Sequence, residues 1–244
     1  MIKNSLLYLM RSLLFVIVGL SSTSINAQEI TLVTHEYRPY SWVNESGDIT
    51  GLTVEIANLM FEKANLKKKW KIVPSKRAYN HVKRTPNSCI FPLQRNQERE
   101  ADFKWVSPIM INRYGFYTPE GSELDIRTLA DLQGLKVVSY LGSGLKEYLD
   151  GFGITTIEAF KDDVAANMVS IGRVDVWATD VFSVPYNLES LEAKFEEKFI
   201  FFTSIGAMAC HRSMSDETIK SLQDELSALY QSLEIAKIVR RYER

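Results

Sequence analysis

The chain has 244 residues, 45% of them hydrophobic and 24% charged, with a formal net charge of −1. This is the composition of an ordinary soluble protein and gives no support to a nucleic-acid partner. Its 2 cysteines and 3 histidines are scattered without a ligand pair at helical spacing, so neither a disulfide-dense scaffold nor a metal centre is expected.

In chain order, Lys3 and Arg11 precede the apolar run Leu13 to Leu20, and Ile25, Asn26 and Ala27 offer a small-residue cleavage site. That pattern predicts a secretory signal peptide over 1–27 and export to the periplasm. The apolar run stops at Ser21, far short of the roughly 20 residues of a membrane span, and no lipoprotein cysteine follows it. No membrane anchor is therefore expected. The length that remains suits two lobes of about 100 residues each.

Ile30, Leu32 and Val33 predict a first buried strand, followed by a turn-rich stretch from Glu36 to Trp42. Val54, Ile56, Ala57, Met60 and Ala64 recur at helical spacing over 53–66. Trp70, Ile72 and Val73 predict a second strand, Ala78, Tyr79 and Val82 a short helix, and Cys89 to Leu93 a third strand. Every charged residue from Lys67 to Arg95 is basic. This is either a solvated positive face or a sign that Arg77 or Arg95 reaches a cleft and favours an anionic ligand.

A long extended segment, Trp105 to Tyr117, comes next, and then strand 135–140, the turn Gly142-Ser143-Gly144 and a helix from Leu145. Ile154 to Ile157 predict a strand. Val164, Met168 and Ile171 mark one face of a helix that Gly172 stops. Val174 to Thr179 form another strand, ending in Asp180, and a second extended segment covers Ile205 to Cys210. Ser215 caps a final helix whose apolar stripe includes Leu222, Leu226, Leu229 and Leu233 and continues through Ile238 to Tyr242. Alternating strands and helices predict doubly wound parallel sheets, with ligands beyond the carboxyl ends of the strands.

Four places satisfy that rule. Backbone N–H groups of the Ser143-Gly144 turn, at a helix start, suit an anion, and Ser143 adds a hydroxyl. Asp180, ending its strand, suits an ammonium group, or caps the following turn. Arg99, closely following the third strand, suits a carboxylate, or pairs with Glu98 or Glu100. Tyr37 and Tyr40 offer rings to cover a ligand, or belong to the core.

The stretches Tyr37-Arg38-Pro39-Tyr40, Gly51-Leu52-Thr53-Val54-Glu55, Gln97-Glu98-Arg99, Leu132-Gln133-Gly134-Leu135, Gly142-Ser143 and Gly172-Arg173-Val174-Asp175, in this order and spacing, resemble the family three bacterial extracellular solute-binding proteins. The resemblance runs over nearly the whole chain after the leader. It implies an α/β, type II periplasmic binding protein fold, two doubly wound sheets joined by two crossing strands. Lobe one would comprise 28–112 and 205–244, and lobe two 113–204.

It also implies that Arg99 and Ser143 bind a ligand carboxylate, Asp180 its amino group, and Tyr37 its face. Tyr40, Arg77, Gln94 and Gly144 complete the expected site. Pro92 and Gln94 replace small hydroxyl residues common in amino-acid binders and point to a less characterised branch. The implied topology sets the strand of Cys210 beside that of Cys89, which is compatible with a disulfide or with two buried thiols.

The function so implied is capture of a small polar, amino-acid-like solute by hinge closure, and its delivery to an ABC-type permease, by a monomer needing no cofactor. Two alternatives stay open: a cyclohexadienyl dehydratase-like enzyme on the same fold, which needs a positioned general acid, and a ligand-sensing partner of a membrane receptor.

Overall fold

The computed structural model describes residues 29–244, so the expected signal peptide lies outside the described residues. The strands are β1 (Ile30–Thr34), β2 (Trp42–Val43), β3 (Ile49–Thr50), β4 (Lys68–Ile72), β5 (Ser88–Arg95), β6 (Phe103–Pro119), β7 (Val137–Tyr140), β8 (Thr156–Ala159), β9 (Val176–Asp180) and β10 (Phe195–His211). The helices are α1 (Leu52–Lys63), α2 (Ser75–Arg84), α3 (Gln97–Glu100), α4 (Leu145–Asp150), α5 (Asp162–Ser170), α6 (Val184–Asn187), α7 (Asp216–Gln231) and α8 (Glu234–Arg240), with 3-10 turns at Leu129–Leu132 and Val181–Ser183.

Eight strands form one hydrogen-bonded sheet in the order β4-β1-β5-β10-β6-β9-β7-β8. Its two ends are the parallel trios that the alternating pattern predicts, β4-β1-β5 and β9-β7-β8. The two crossing segments, 17 residues each, pair antiparallel along almost their whole length and tie the trios into a single ladder. The fold is α/β with a curled mixed sheet, and each trio carries its own core. Leu32, Ile56, Phe61, Phe91 and Leu222 pack together on one side. Phe116, Val137, Leu149 and Val176, with a further cluster around Trp177, pack on the other. We refer to these as the first and second halves.

Local sequence explains most element ends. The apolar spacing from Leu52 to Phe61 buries one face of α1, and the Ser215 hydroxyl accepts from the Thr218 N–H to start α7. Two expected stripes end differently. Leu233 adopts a left-handed conformation (φ 61°) that breaks the final helix into α7 and α8 and leaves this leucine 63% exposed. The break turns α8 back so that Ile235 and Ile238 rejoin the first core. On α5 the fully packed face is Ala165, Ala166 and Val169, whereas Ile171 sits past the helix end in solvent. Cys89 and Cys210 are cross-strand partners in β5 and β10, fully buried and joined by a disulfide.

Candidate functional site

The carboxyl ends of β1, β5 and β7 converge on a narrow gap between the halves. His35 follows β1 directly, Gln94 lies near the end of β5, and Tyr140 ends β7, leading into the glycine turn with Ser143. The gap measures about 40 Å³. One water needs about 10–15 Å³ on this measure, so a few waters would fill it. Aromatic rings hold it narrow. His35 and Tyr37 from the first half and Tyr140 from the second lie nearly parallel, with interplanar angles of 13–16° and centroids 5.7–6.0 Å apart.

The two halves also meet at Gly144, whose φ of +82° starts α4. A side chain there would overlap Gln94 Oε1, so glycine is required both by the left-handed backbone and by the close approach. The Ser143 hydroxyl accepts from the Leu145 N–H at 3.2 Å while its residue lines the gap. Gln94 Oε1 and His35 Nδ1 are buried and have no hydrogen-bond partner. Buried polar groups in folded proteins nearly always have one, which makes these two atoms the most unusual feature of the gap.

Of the sequence-predicted residues, Tyr37, Gln94 and Ser143 line this gap, and Gly144 closes against it. Tyr40 and Asp180 meet each other elsewhere. The Tyr40 hydroxyl donates to Asp180 Oδ1 at 2.6 Å and accepts from Asn112 Nδ2 at 2.9 Å, and the same amide donates to Asp180 Oδ2 at 2.9 Å. Backbone N–H groups of Phe182 and Ser183 also donate to Asp180 Oδ1, at 3.0 and 3.2 Å. Asp180 is thus both a cap and one corner of a buried clasp in which Tyr40 of the first half bonds it directly and Asn112 of β6, which also lines the gap, donates to both. It lines a separate groove of about 660 Å³ with Tyr40, Arg113 and Phe182. Burial raises its carboxyl above the usual carboxylate range, and its donors pull it back.

The arginines divide similarly. Arg99 borders a larger hollow of about 370 Å³ that shares Ser75, Leu93 and Gly142 with the gap, and its Nη2 lies 3.7 Å from where a Cβ at Gly144 would stand. Its guanidinium donates to the Gln94 carbonyl at 3.3 Å and lies 5.6 Å from the Tyr79 ring centroid. Arg95 is turned away, making two hydrogen bonds to Glu100 (2.9 and 2.6 Å) and stacking over Trp105. Arg77 is exposed on α2, which favours the solvated-face reading for that stretch.

The gap lining is electrically neutral. Burial lowers His35 to about 4, leaving a neutral imidazole at pH 7, and it raises the phenols of Tyr37, Tyr114 and Tyr140 above their ordinary range. No Asp, Glu, Lys or Arg is among the described residues that line it. Sequence reasoning passed over His35 and Tyr140, although both sit at strand ends where the ligand rule points. Asn112 and Tyr114 lie within the crossing strand and carry no local signal.

Over residues 30–244 the chain matches the bacterial extracellular solute-binding proteins, family 3, and it belongs to that family. No curated protein sequence matches it. Among solved structures, a histidine kinase sensor domain with similarity to periplasmic binding proteins superposes with a TM-score of 0.80 at 16% identity, over 88% of this chain and 96% of that one. A Salmonella typhimurium periplasmic binding protein of high arginine specificity gives 0.76 at 17% identity, over 89% and 100%. An ancestral amino acid-binding protein, a precursor of cyclohexadienyl dehydratase, gives 0.76 at 16% identity, over 88% and 96%. At these identities the likeness establishes the type II periplasmic binding protein fold alone.

Proposed function

We propose that this is a periplasmic solute-binding protein that captures a small polar solute between its halves by hinge closure and presents the closed form to a membrane permease. The observation that carries the reading is the origin of the gap's walls. Gln94 and Tyr37 come from one half, Ser143, Gly144 and Tyr140 from the other, and the chain passes between the halves only through β6 and β10 among the described residues. A solute touching both walls makes its full contacts only when the halves are together, and this differential contact is what lets it bias closure. Family membership and amino-acid-binding relatives of the same fold support a small polar ligand, with Arg99 at the rim available to a carboxylate.

An elimination reaction would need a general acid in the gap; the groups that line it are a His35 held neutral at pH 7 and phenols raised above their ordinary range, poor proton donors, which favours binding over chemistry. The test is a thermal-shift screen of the chain from Gln28 onward, unfolded and refolded to release any copurified solute. A ligand at 100 times its Kd adds about 2.7 kcal/mol of stability. X-ray scattering of the best hit should show a smaller radius of gyration on saturation. A screen of amino acids, amides, dicarboxylates and amines in which nothing raises Tm would refute the proposal.

A further inference from the structure

The groove on the far side of the clasp has a chemistry of its own, and capture of a solute in the gap makes no use of it. At about 660 Å³ it falls within the usual size of small-molecule sites, about 300–1,000 Å³. Its walls come from both halves. Leu233, Ile235 and Val239 belong to α8 and the break before it, Val181 and Phe182 to the 3-10 turn after β9, and Ile111 to the crossing strand β6. Ile111 is 61% exposed and Leu233 63%, so two large aliphatic side chains of the lining stand in water. Glycine is the usual residue at the left-handed φ of 61° found at Leu233. Leucine there accepts backbone strain and places an apolar side chain on the groove instead of in the α7 stripe.

Two cations sit on this apolar lining without counter-ions. Arg241 and Arg244 pair with Glu55 and Glu189, whereas Arg113 and Arg240 have neither an ion pair nor a side-chain hydrogen bond among the described residues. Two carboxylates also line the groove. Asp180 is buried and already accepts four hydrogen bonds. Glu243 is exposed, and the two free guanidiniums outnumber it. A guanidinium takes a carboxylate by two parallel hydrogen bonds, while the aliphatic walls gain from any apolar surface laid on them. A cation would be repelled, and a small anion without an apolar body would leave the walls wet.

We propose that this groove is a second binding site, for an amphipathic monocarboxylate whose carboxylate meets Arg113 and Arg240 and whose apolar body lies along Ile111, Phe182, Leu233 and Val239. The concave shape, walled by two halves, suits a free small molecule rather than a flat partner surface.

Titration calorimetry on the refolded chain from Gln28 tests this with decanoate, octanoate, acetate and octylammonium, each below its micellar range. The expected result is saturable binding of one decanoate per chain, with octanoate roughly tenfold weaker for its two missing methylenes. Acetate and octylammonium should show no binding over the same concentrations. Arg113→Gln and Arg240→Gln should each weaken decanoate at least about fivefold. Leu233→Gly, which suits the left-handed backbone, should weaken it at least about threefold. Arg84→Gln, an exposed arginine of α2 remote from the lining, should leave Kd unchanged. All four positions are exposed, and circular dichroism should show the fold retained in each variant. Octylammonium binding as tightly as octanoate would overturn the inference, and so would decanoate binding indifferent to both arginines and to Leu233, or no decanoate binding at all. A dimer in sedimentation that Leu233→Gly dissociates would overturn it too, by giving the groove to a second copy of the chain. Each of these failures leaves the solute-binding function standing, because the gap carries it.

Discussion

His35 makes the stability of this protein sensitive to acid, in a direction and amount that follow from its burial. The imidazole is packed beside Tyr37 and Tyr140 and burial lowers its pKa to about 4, against 6.5 for the exposed side chain. The unfolded chain therefore takes up a proton below pH 6.5 that the folded one refuses until about pH 4. The stability tied to His35 is fully present above 6.5 and is lost as pH falls through that window. At 1.36 kcal/mol per pH unit the loss amounts to about 3 kcal/mol. His35→Phe keeps a ring in the stack and cannot titrate. Urea unfolding followed by tryptophan fluorescence, from pH 8 to 4, should show the wild type losing about 3 kcal/mol relative to the variant. Asp162 works in the opposite sense: burial raises it to about 6, so its contribution grows as pH falls below that value. That term is common to both proteins and cancels in their difference. Two stability curves running parallel over the whole range would refute the reasoning.

The Cys89–Cys210 bridge closes a separation of 121 residues, which on the chain-entropy model contributes about 5 kcal/mol; reduced protein should lose that amount in guanidinium unfolding, and a free-thiol assay of the native protein should find none. Gly51→Ala places a Cβ within 2.8 Å of the Ser41 nitrogen, and against the Tyr40 carbonyl, at φ +131°, so it should cost more than about 3 kcal/mol and show as a lowered denaturation midpoint with unchanged m. Tyr40→Phe removes the donor to Asp180 and should cost about 1–3 kcal/mol. Since Tyr40 and Asp180 belong to different halves, the variant should also enlarge the radius of gyration at saturating ligand in X-ray scattering, whereas an unchanged profile would show that the clasp does not hold the closed halves together.

Much of the fold was legible because period and punctuation agreed. The buried runs of β1, β5 and β9 and the apolar face of α1 are local patterns, and each has one structural solution. The single ladder was not legible, since pairing of Phe103–Pro119 with Phe195–His211 depends on contacts some 90 residues apart in sequence. The site was legible where it sits at strand ends, as with Gln94 and Ser143. It was ambiguous where one side chain satisfied two rules at once. Asp180 ends a strand, which suits a ligand, and precedes a 3-10 turn, which suits a cap; the cap and Tyr40 take up Oδ1, while Oδ2 accepts from Asn112 alone. Nothing near Asp180 in sequence announces Asn112, 68 residues earlier.

The contacts between the halves sort by what a solute would disturb. Lys76–Glu158 at 3.8 Å joins an exposed lysine to a half-buried glutamate at the edge of ion-pair range, and Arg244–Glu189 at 3.4 Å involves two exposed side chains; such pairs contribute little. The Tyr186 hydroxyl bond to the Tyr242 carbonyl, 2.8 Å, lies away from the gap, whereas the Tyr40–Asp180–Asn112 clasp reaches it through Asn112. At the gap itself, a solute would exchange its contacts for those of Tyr140 with Tyr37 and His35, of Gln94 with Gly144 and of Ser75 with Gly142. A solute's affinity is then the difference between its own stacking and hydrogen bonds and those direct contacts. Gln94 Oε1 and His35 Nδ1 gain outright, because the direct contact leaves them without partners. Those two atoms therefore favour a guest that can hydrogen-bond to them.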